Sequence, residues 1–342
     1  EVPGGGDAAD AVVAMCSRIL LAPLEAAPAD GGAAEPQGGE VVALQGALLS
    51  LAVVHRLVKV MPLIGKAAAE RAVVLLSRLV MLPGGHFAMQ YVDSGGLQPQ
   101  LTCMMLAADN RPGMIVDSLI IFSILARASR DHYPALHKSG AYPLLLALLR
   151  ESGDSDVRAR VCNLVGNMCR HSDFFYEPLE QHGILTEVVT CASDREAATR
   201  KFSCFAIGNA AFHSPALYGT LRVAIPALVA CLKEPVEKTR SNAAGALGNL
   251  VRNSSLLARD LCSSGAVAAL MAAAEPEGGV DSSSRVALYS LGTVAAYAEC
   301  KKELSQSGFL GRLEDMVSSS GDRTTAKYAQ RVLDRISGAA KK

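Results

Sequence analysis

A ten-residue pattern returns three times in this chain: Arg158 to Asn167 (RARVCNLVGN), Arg200 to Asn209 (RKFSCFAIGN) and Arg240 to Asn249 (RSNAAGALGN). Its Gly-Asn pair recurs after 42 and then 40 residues, the period of two- or three-helix units stacked in a row. A unit of that size cannot bury its apolar face alone, so neighbouring units must share one continuous core. That constraint outranks length. A chain of 342 residues would suggest two domains, whereas a repeat array grows as one. The expected organisation is an N-terminal helix and flexible Gly/Ala/Pro-rich linker over residues 1–39, then a solenoid over residues 40–342.

Half of the residues are hydrophobic and only 5% are aromatic, so the core is made of Ala, Leu and Val, small enough to let helices approach closely. Seven apolar segments, 75–82, 119–128, 161–169, 202–211, 243–251, 286–296 and 326–336, have the spacing of the second helix of successive units. Glycine-containing breaks at 94–96, 139–141, 182–184, 264–266 and 307–309 mark the junctions, and Pro226 takes that place at 224–226. A single apolar helix is expected from Glu40 to Met61, closed by Pro62. No segment alternates in the manner of a strand. The expected fold is all-α, an armadillo/HEAT-like right-handed superhelical solenoid of about six to seven repeats.

Thirty-three basic residues balance thirty-three acidic ones, so no global field draws the chain to nucleic acid or anionic lipid. No specific nucleic-acid partner is expected. The nine cysteines are scattered, mostly inside apolar helical runs, a pattern of reduced thiols in a cytoplasmic setting. They lack zinc spacing, and neither a metal site nor a cofactor is expected. No apolar run reaches the roughly 18 residues of a membrane span, and the start lacks a signal peptide's basic region. Beginning at Glu1 without Met, the chain reads as a piece of a longer protein.

Within the repeated pattern, Gly166, Gly208 and Gly248 each cost a helix about 1 kcal/mol relative to Ala. Close packing of a neighbouring helix explains such a cost. Asn167, Asn209 and Asn249 either form a structural ladder between repeats or face a groove and hold an extended ligand, since a helix-interior amide needs partners for both ends. Arg158, Arg200, Arg240 and Arg285 form a second row, suited to acidic peptide or phosphate or to inter-repeat salt bridges with Asp156, Glu196 and Glu237. Asp194, Glu234 and Asp322, in the polar breaks, complement helix N-termini. Arg170, His171, His213, Arg252 and Asn253 follow the Asn positions, as helix-end caps or as groove contacts. Cys204 with His213 is the one nucleophile-like proximity, and no catalytic residue is assigned.

The segments 161–184, 199–228 and 238–270 resemble the C-terminal armadillo region of the Fused family of serine/threonine kinases, with weaker similarity upstream at 70–80 and 90–97. In armadillo proteins that bind nuclear localisation signals, a Trp stands one turn before the groove Asn. The corresponding residues here are Asn163, Phe205 and Gly245, and the chain has no Trp, which argues against import cargo. The resemblance implies a non-catalytic scaffold or regulatory tail, since the chain has no Gly-rich phosphate loop, His-Arg-Asp or Asp-Phe-Gly motif. It further implies a kinesin-like protein partner, a cytoplasmic location at cytoskeleton or cilium, and a role in cilium or axoneme assembly, cytokinesis or Hedgehog-type signalling. The alternatives are an autoregulatory element that self-associates or docks on its own kinase domain, and a generic armadillo axonemal adaptor.

Overall fold

The computed structural model describes residues 5–25, 39–275, 279, 281–306 and 308–338. Positions 27–38 of the expected linker, and Ser307 of the last junction, lie outside the described residues. Every regular element among the described residues is a helix, α or 3-10. The chain divides into two compact units, Glu1–Leu148 and Leu149–Lys342.

In the first unit the helix Gly5–Glu25 packs on Lys66–Met81, which in turn packs on Pro112–Ala128. Asp10 accepts a 2.9 Å hydrogen bond from the Gly65 backbone N–H, so a distant side chain satisfies one of the free donors before the second of these helices. Leu75, Leu76, Leu79, Phe122 and Leu125 are buried between them. The single helix expected over 40–61 is instead two, Gly39–Ser50 and Val53–Val60. Ala52 between them takes a left-handed φ of 49°, a conformation that no helix continues. The Arg56 guanidinium then donates to the Leu51 carbonyl at 2.9 Å, replacing a bond the break removes.

In the second unit five helices stack in order: Ser155–Met168, Ala197–Ala210, Glu237–Asn249, Ser282–Val294 and Arg323–Ser337. They hold most of five of the seven apolar segments, four of which run one or two residues past the helix end, and each helix begins several residues earlier than hydrophobicity alone suggests. Polar capping explains the early starts of three of them. Asp154 accepts from the Asp156 and Val157 amides at 2.9 and 3.1 Å, Asp281 and Ser284 form a reciprocal capping box, and Asp322 accepts from Thr324 at 3.0 Å. Leu164, Ile207, Leu247 and Leu291 are buried along the stack, each burial contributing about 1.5–3 kcal/mol. The intervening helices Ile184–Thr190 and Ala266–Ala274 start after Gly183 and Gly265, whose φ values of 70° and 72° a side chain would strain.

Candidate functional site

The five stacked helices of the second unit carry every residue of the recurring pattern. The arginine row is occupied by the protein itself. Arg158 grips Asp194 through Nε at 2.8 Å and Nη2 at 3.1 Å, and Arg200 holds Glu234 at 2.7 Å. Arg240 and Arg285 repeat the arrangement with Asp281 at 2.6 Å and Asp322 at 3.3 Å. Each arginine thus reaches the polar break before the following stacked helix. Arg158, Arg200 and Arg240 also donate to carbonyls of their own break, at 2.9 Å to Ser152 and 2.8 Å to Asp194 and Glu234.

The acidic partners are therefore Asp194, Glu234, Asp281 and Asp322, and not the Asp156, Glu196 and Glu237 expected from sequence proximity. Backbone amides already hold three of these carboxylates in place, Glu196 N–H on Asp194 and Ser284 N–H on Asp281, both at 2.9 Å, and Thr324 N–H on Asp322 at 3.0 Å. Pairing them with the guanidinium costs less side-chain entropy than ordering an acid on the exposed first turn. Burial pushes the Asp281 carboxyl up, but hydrogen bonds from Ser283, Ser284 and Arg240, with the Arg240 charge, outweigh it and bring it down to about 2. Asp194 lies below its ordinary value for the corresponding balance, burial raising it and Arg158 with the Glu196 amide lowering it further.

Asn209 donates through Nδ2 to the Gly166 carbonyl at 2.8 Å, and Asn249 to the Gly208 carbonyl at 2.9 Å. These are rungs between consecutive stacked helices. Asn167 instead turns its amide onto its own helix, to the Asn163 carbonyl at 3.0 Å. The rungs use the NH2 end of Asn209 and Asn249; both side chains remain half-buried, and the Oδ1 atoms have no hydrogen-bond partner among the described residues. A parallel row lies in the turns that follow. His213 donates from Nε2 to the Arg170 carbonyl at 3.1 Å, and Asn253 from Nδ2 to Phe212 at 2.9 Å. His213 is thus tied to the backbone of the preceding repeat, while Arg170, His171 and Arg252 are exposed. Arg252 lies over the Phe212 ring, 4.2 Å from its centroid.

Reasoning from the residues missed a tyrosine row that closes the same helix ends. Tyr176 donates to the Asn209 carbonyl at 2.8 Å and accepts from the His213 amide at 3.3 Å. Tyr218 does the same one repeat later, with Asn249 at 2.6 Å and Asn253 at 3.2 Å. Burial pushes both hydroxyls above the ordinary tyrosine value, keeping them protonated donors. The 42-residue interval from Tyr176 to Tyr218 was the available signal.

Cys204 is fully buried, and its thiol is pushed up by a hydrogen bond with Cys231 and by burial. It is therefore no nucleophile for His213 to activate. In the first unit His55 Nδ1 lies 3.1 Å from Ser94 Oγ, a pairing with the look of an activated serine. The Ser94 hydroxyl, however, donates to the Gln90 carbonyl at 2.5 Å, so His55 is the donor to Ser94 and takes no proton from it. No group of three or more potential metal ligands occurs among the described residues. No single described helix is long and apolar enough to cross a membrane, although the bent pair Val42–Ser50 and Val53–Leu63 has sufficient length and apolarity together.

Stacked helices with side-chain ladders between consecutive repeats define an all-α armadillo-type scaffold, a class of protein-interaction region. The armadillo/beta-catenin-like repeat model matches residues 221–252. Among solved structures, an engineered protein superposes with a TM-score of 0.78 at 19% identity, over 86% of this chain and 71% of its own. A designed armadillo repeat protein in complex with the peptide (KR)4 superposes with a TM-score of 0.63 at 21% identity, over 70% of this chain and 98% of its own. The homologues of this chain are Fused-type serine/threonine kinases. The serine/threonine-protein kinase TIO of Arabidopsis thaliana is 31% identical over 280 residues, 78% of this chain and 21% of that protein. Serine/threonine-protein kinase 36 of Mus musculus is 29% identical over 192 residues, 53% of this chain and 14% of that protein. The chain thus spans a minor part of either relative.

Proposed function

We propose that the second unit is the partner-binding part of a non-catalytic, regulatory armadillo region of a Fused-like serine/threonine kinase. Its partner is a kinesin-like protein, and the pair acts at the cytoskeleton or cilium, in axoneme assembly, cytokinesis or Hedgehog-type signalling. One observation carries the binding role. The arginine row is consumed by inter-repeat ion pairs, whereas the Asn209 and Asn249 side chains spend only their NH2 groups on the ladder. Their Oδ1 atoms, on successive repeats, offer two acceptors for backbone N–H groups of an extended segment. The similarity to the two kinases supports the regulatory setting, and the resemblance to the Fused family supports the kinesin-like partner.

The test is capture by the purified chain from extracts of dividing or ciliated cells, with identification of the retained proteins. A kinesin-like protein is expected, retained about tenfold less by Asn209→Ala/Asn249→Ala, because each substitution removes the Oδ1 acceptor together with its NH2 rung. Thermal melts of both proteins separate lost binding from lost folding. Retention of no kinesin-like protein, or equal retention by a folded variant, overturns the assignment.

A further inference from the structure

The second unit carries two kinds of arginine. Arg158, Arg200, Arg240 and Arg285 are all paired with carboxylates; Arg252, Arg331 and Arg335 take part in no ion pair among the described residues. Arg331 is half-buried yet fixed, donating to the Tyr289 carbonyl at 2.5 Å and to Thr293 Oγ1 at 3.2 Å. Its guanidinium lies 4.4 Å from the Tyr289 ring centroid, and Tyr289 meets Tyr328 edge-on at 5.4 Å. Burial lowers the Arg331 pKa, and the positive charges of Arg335 and Arg252 lower it further, while Tyr289 and Tyr328 act in the other direction. Arg331 is thus a half-buried cation with two further arginine charges acting on it and no ion pair of its own among the described residues. The patch continues the asparagine row, since Thr293 follows Gly292 as Asn249 follows Gly248.

We propose that Arg252, Arg331 and Arg335, with the rings of Tyr289 and Phe212, form a docking site for an extended acidic peptide segment of a partner protein. This rests on the reading of the stacked-helix face as the binding face and adds the chemistry of its occupant. Partner carboxylates would supply the missing counterions, and a guanidinium already held by two hydrogen bonds loses little freedom on accepting a bidentate pair. The aromatic faces receive apolar or aromatic side chains between the acids. A peptide suits the site better than nucleic acid, because three guanidinium groups on a chain of zero net charge make too short a cationic track for a polyanion that is held chiefly by phosphate neutralisation. The charge is opposite to that required by the basic (KR)4 peptide of the designed neighbour.

The experiment is fluorescence anisotropy of the 342-residue chain with three dye-labelled probes: a (Glu-Tyr)6 peptide, a (Lys-Tyr)6 peptide and a twelve-nucleotide oligouridylate. The acidic peptide is expected to bind, more weakly as salt rises. Arg252→Glu/Arg335→Glu, both at exposed positions, should weaken it at least about tenfold, while Lys301→Glu/Lys302→Glu, with the same charge change on another helix, should not. Should the first pair alter the melting curve, Arg252→Gln/Arg335→Gln replaces it with the same expectation. Absence of binding, equal binding of the basic peptide, tighter binding of the oligouridylate, or an equal effect of both charge reversals overturns the proposal. A benzophenone on the acidic peptide distinguishes the two readings. Cross-links on the stacked-helix face without sensitivity to charge reversal overturn this inference alone, and cross-links elsewhere overturn the binding face as well.

Discussion

At the residue scale the three glycines of the repeated pattern are not equivalent. A Cβ on Gly248 would lie 2.5 Å from Ser290 Oγ and 3.0 Å from its Cα, and one on Gly166 would lie 2.4 Å from the Phe205 ring. A Cβ on Gly208 would meet Ala246 no closer than 3.5 Å, an ordinary contact. Gly248→Ala is therefore expected to destabilise by about 1–3 kcal/mol through overpacking, in spite of better helix propensity. Gly208→Ala is expected to be neutral or to stabilise by up to about 1 kcal/mol. Urea denaturation of the two variants checks the contrast, and equal effects would contradict the packing account. The close-packing role expected of all three glycines therefore holds by contact for Gly166 and Gly248. At Gly208 the facing residue is alanine, which leaves room the sequence motif does not reveal.

At the element scale the helices of the second unit were legible in their apolar halves and illegible at their ends. Hydrophobic spacing located all five stacked helices, but the starts of three of them depend on Asp154, Asp281 and Asp322 as caps. The C-terminal ends depend on tyrosines from a neighbouring segment, Tyr176 at Asn209 and Tyr218 at Asn249. Such a partner is 31 to 33 residues away in the chain, so no local window contains it. Tyr218→Phe leaves the Asn249 carbonyl and the Asn253 amide without this shared hydroxyl, and the expected cost is about 1–3 kcal/mol. Amide exchange at Asn253 should accelerate by at least about tenfold relative to the centre of the Glu237–Asn249 helix. Unchanged exchange there would show that the hydroxyl does not secure the helix end.

At the scale of the whole molecule, the ion pairs form a row through the second unit, and their carboxylates share one pH response. Asp194, Asp281 and Asp322 all lie below the ordinary carboxylate value in the folded protein, Asp281 at about 2. Their contribution is complete above the unfolded value of about 4 and is lost as pH falls through the folded values. Thermal stability should accordingly be flat above about pH 5 and decline steadily from about pH 4 towards 2. Asp281→Asn should make that decline shallower and, by removing the charge that pairs with Arg240, cost up to about 1 kcal/mol at neutral pH. A wild-type decline beginning above about pH 6 would point instead to histidine titration.

The 40- and 42-residue recurrence was enough to establish stacked helices, because any chain with that apolar period must bury one unit against the next. It also established which residue types recur. Which groups those residues spend on the fold was settled only by tertiary contact. Arg158 and Asp194 are 36 residues apart, and Asn209 and the Gly166 carbonyl 43 apart, so each pair exists only after the repeats stack. The same stacking leaves Arg331 beside Tyr289 and within reach of the Arg252 charge, although it lies outside the three copies of the recurring motif. The period specifies neighbours along the stack, but counterions, caps and exposed acceptors depend on the angle and separation at which those neighbours meet.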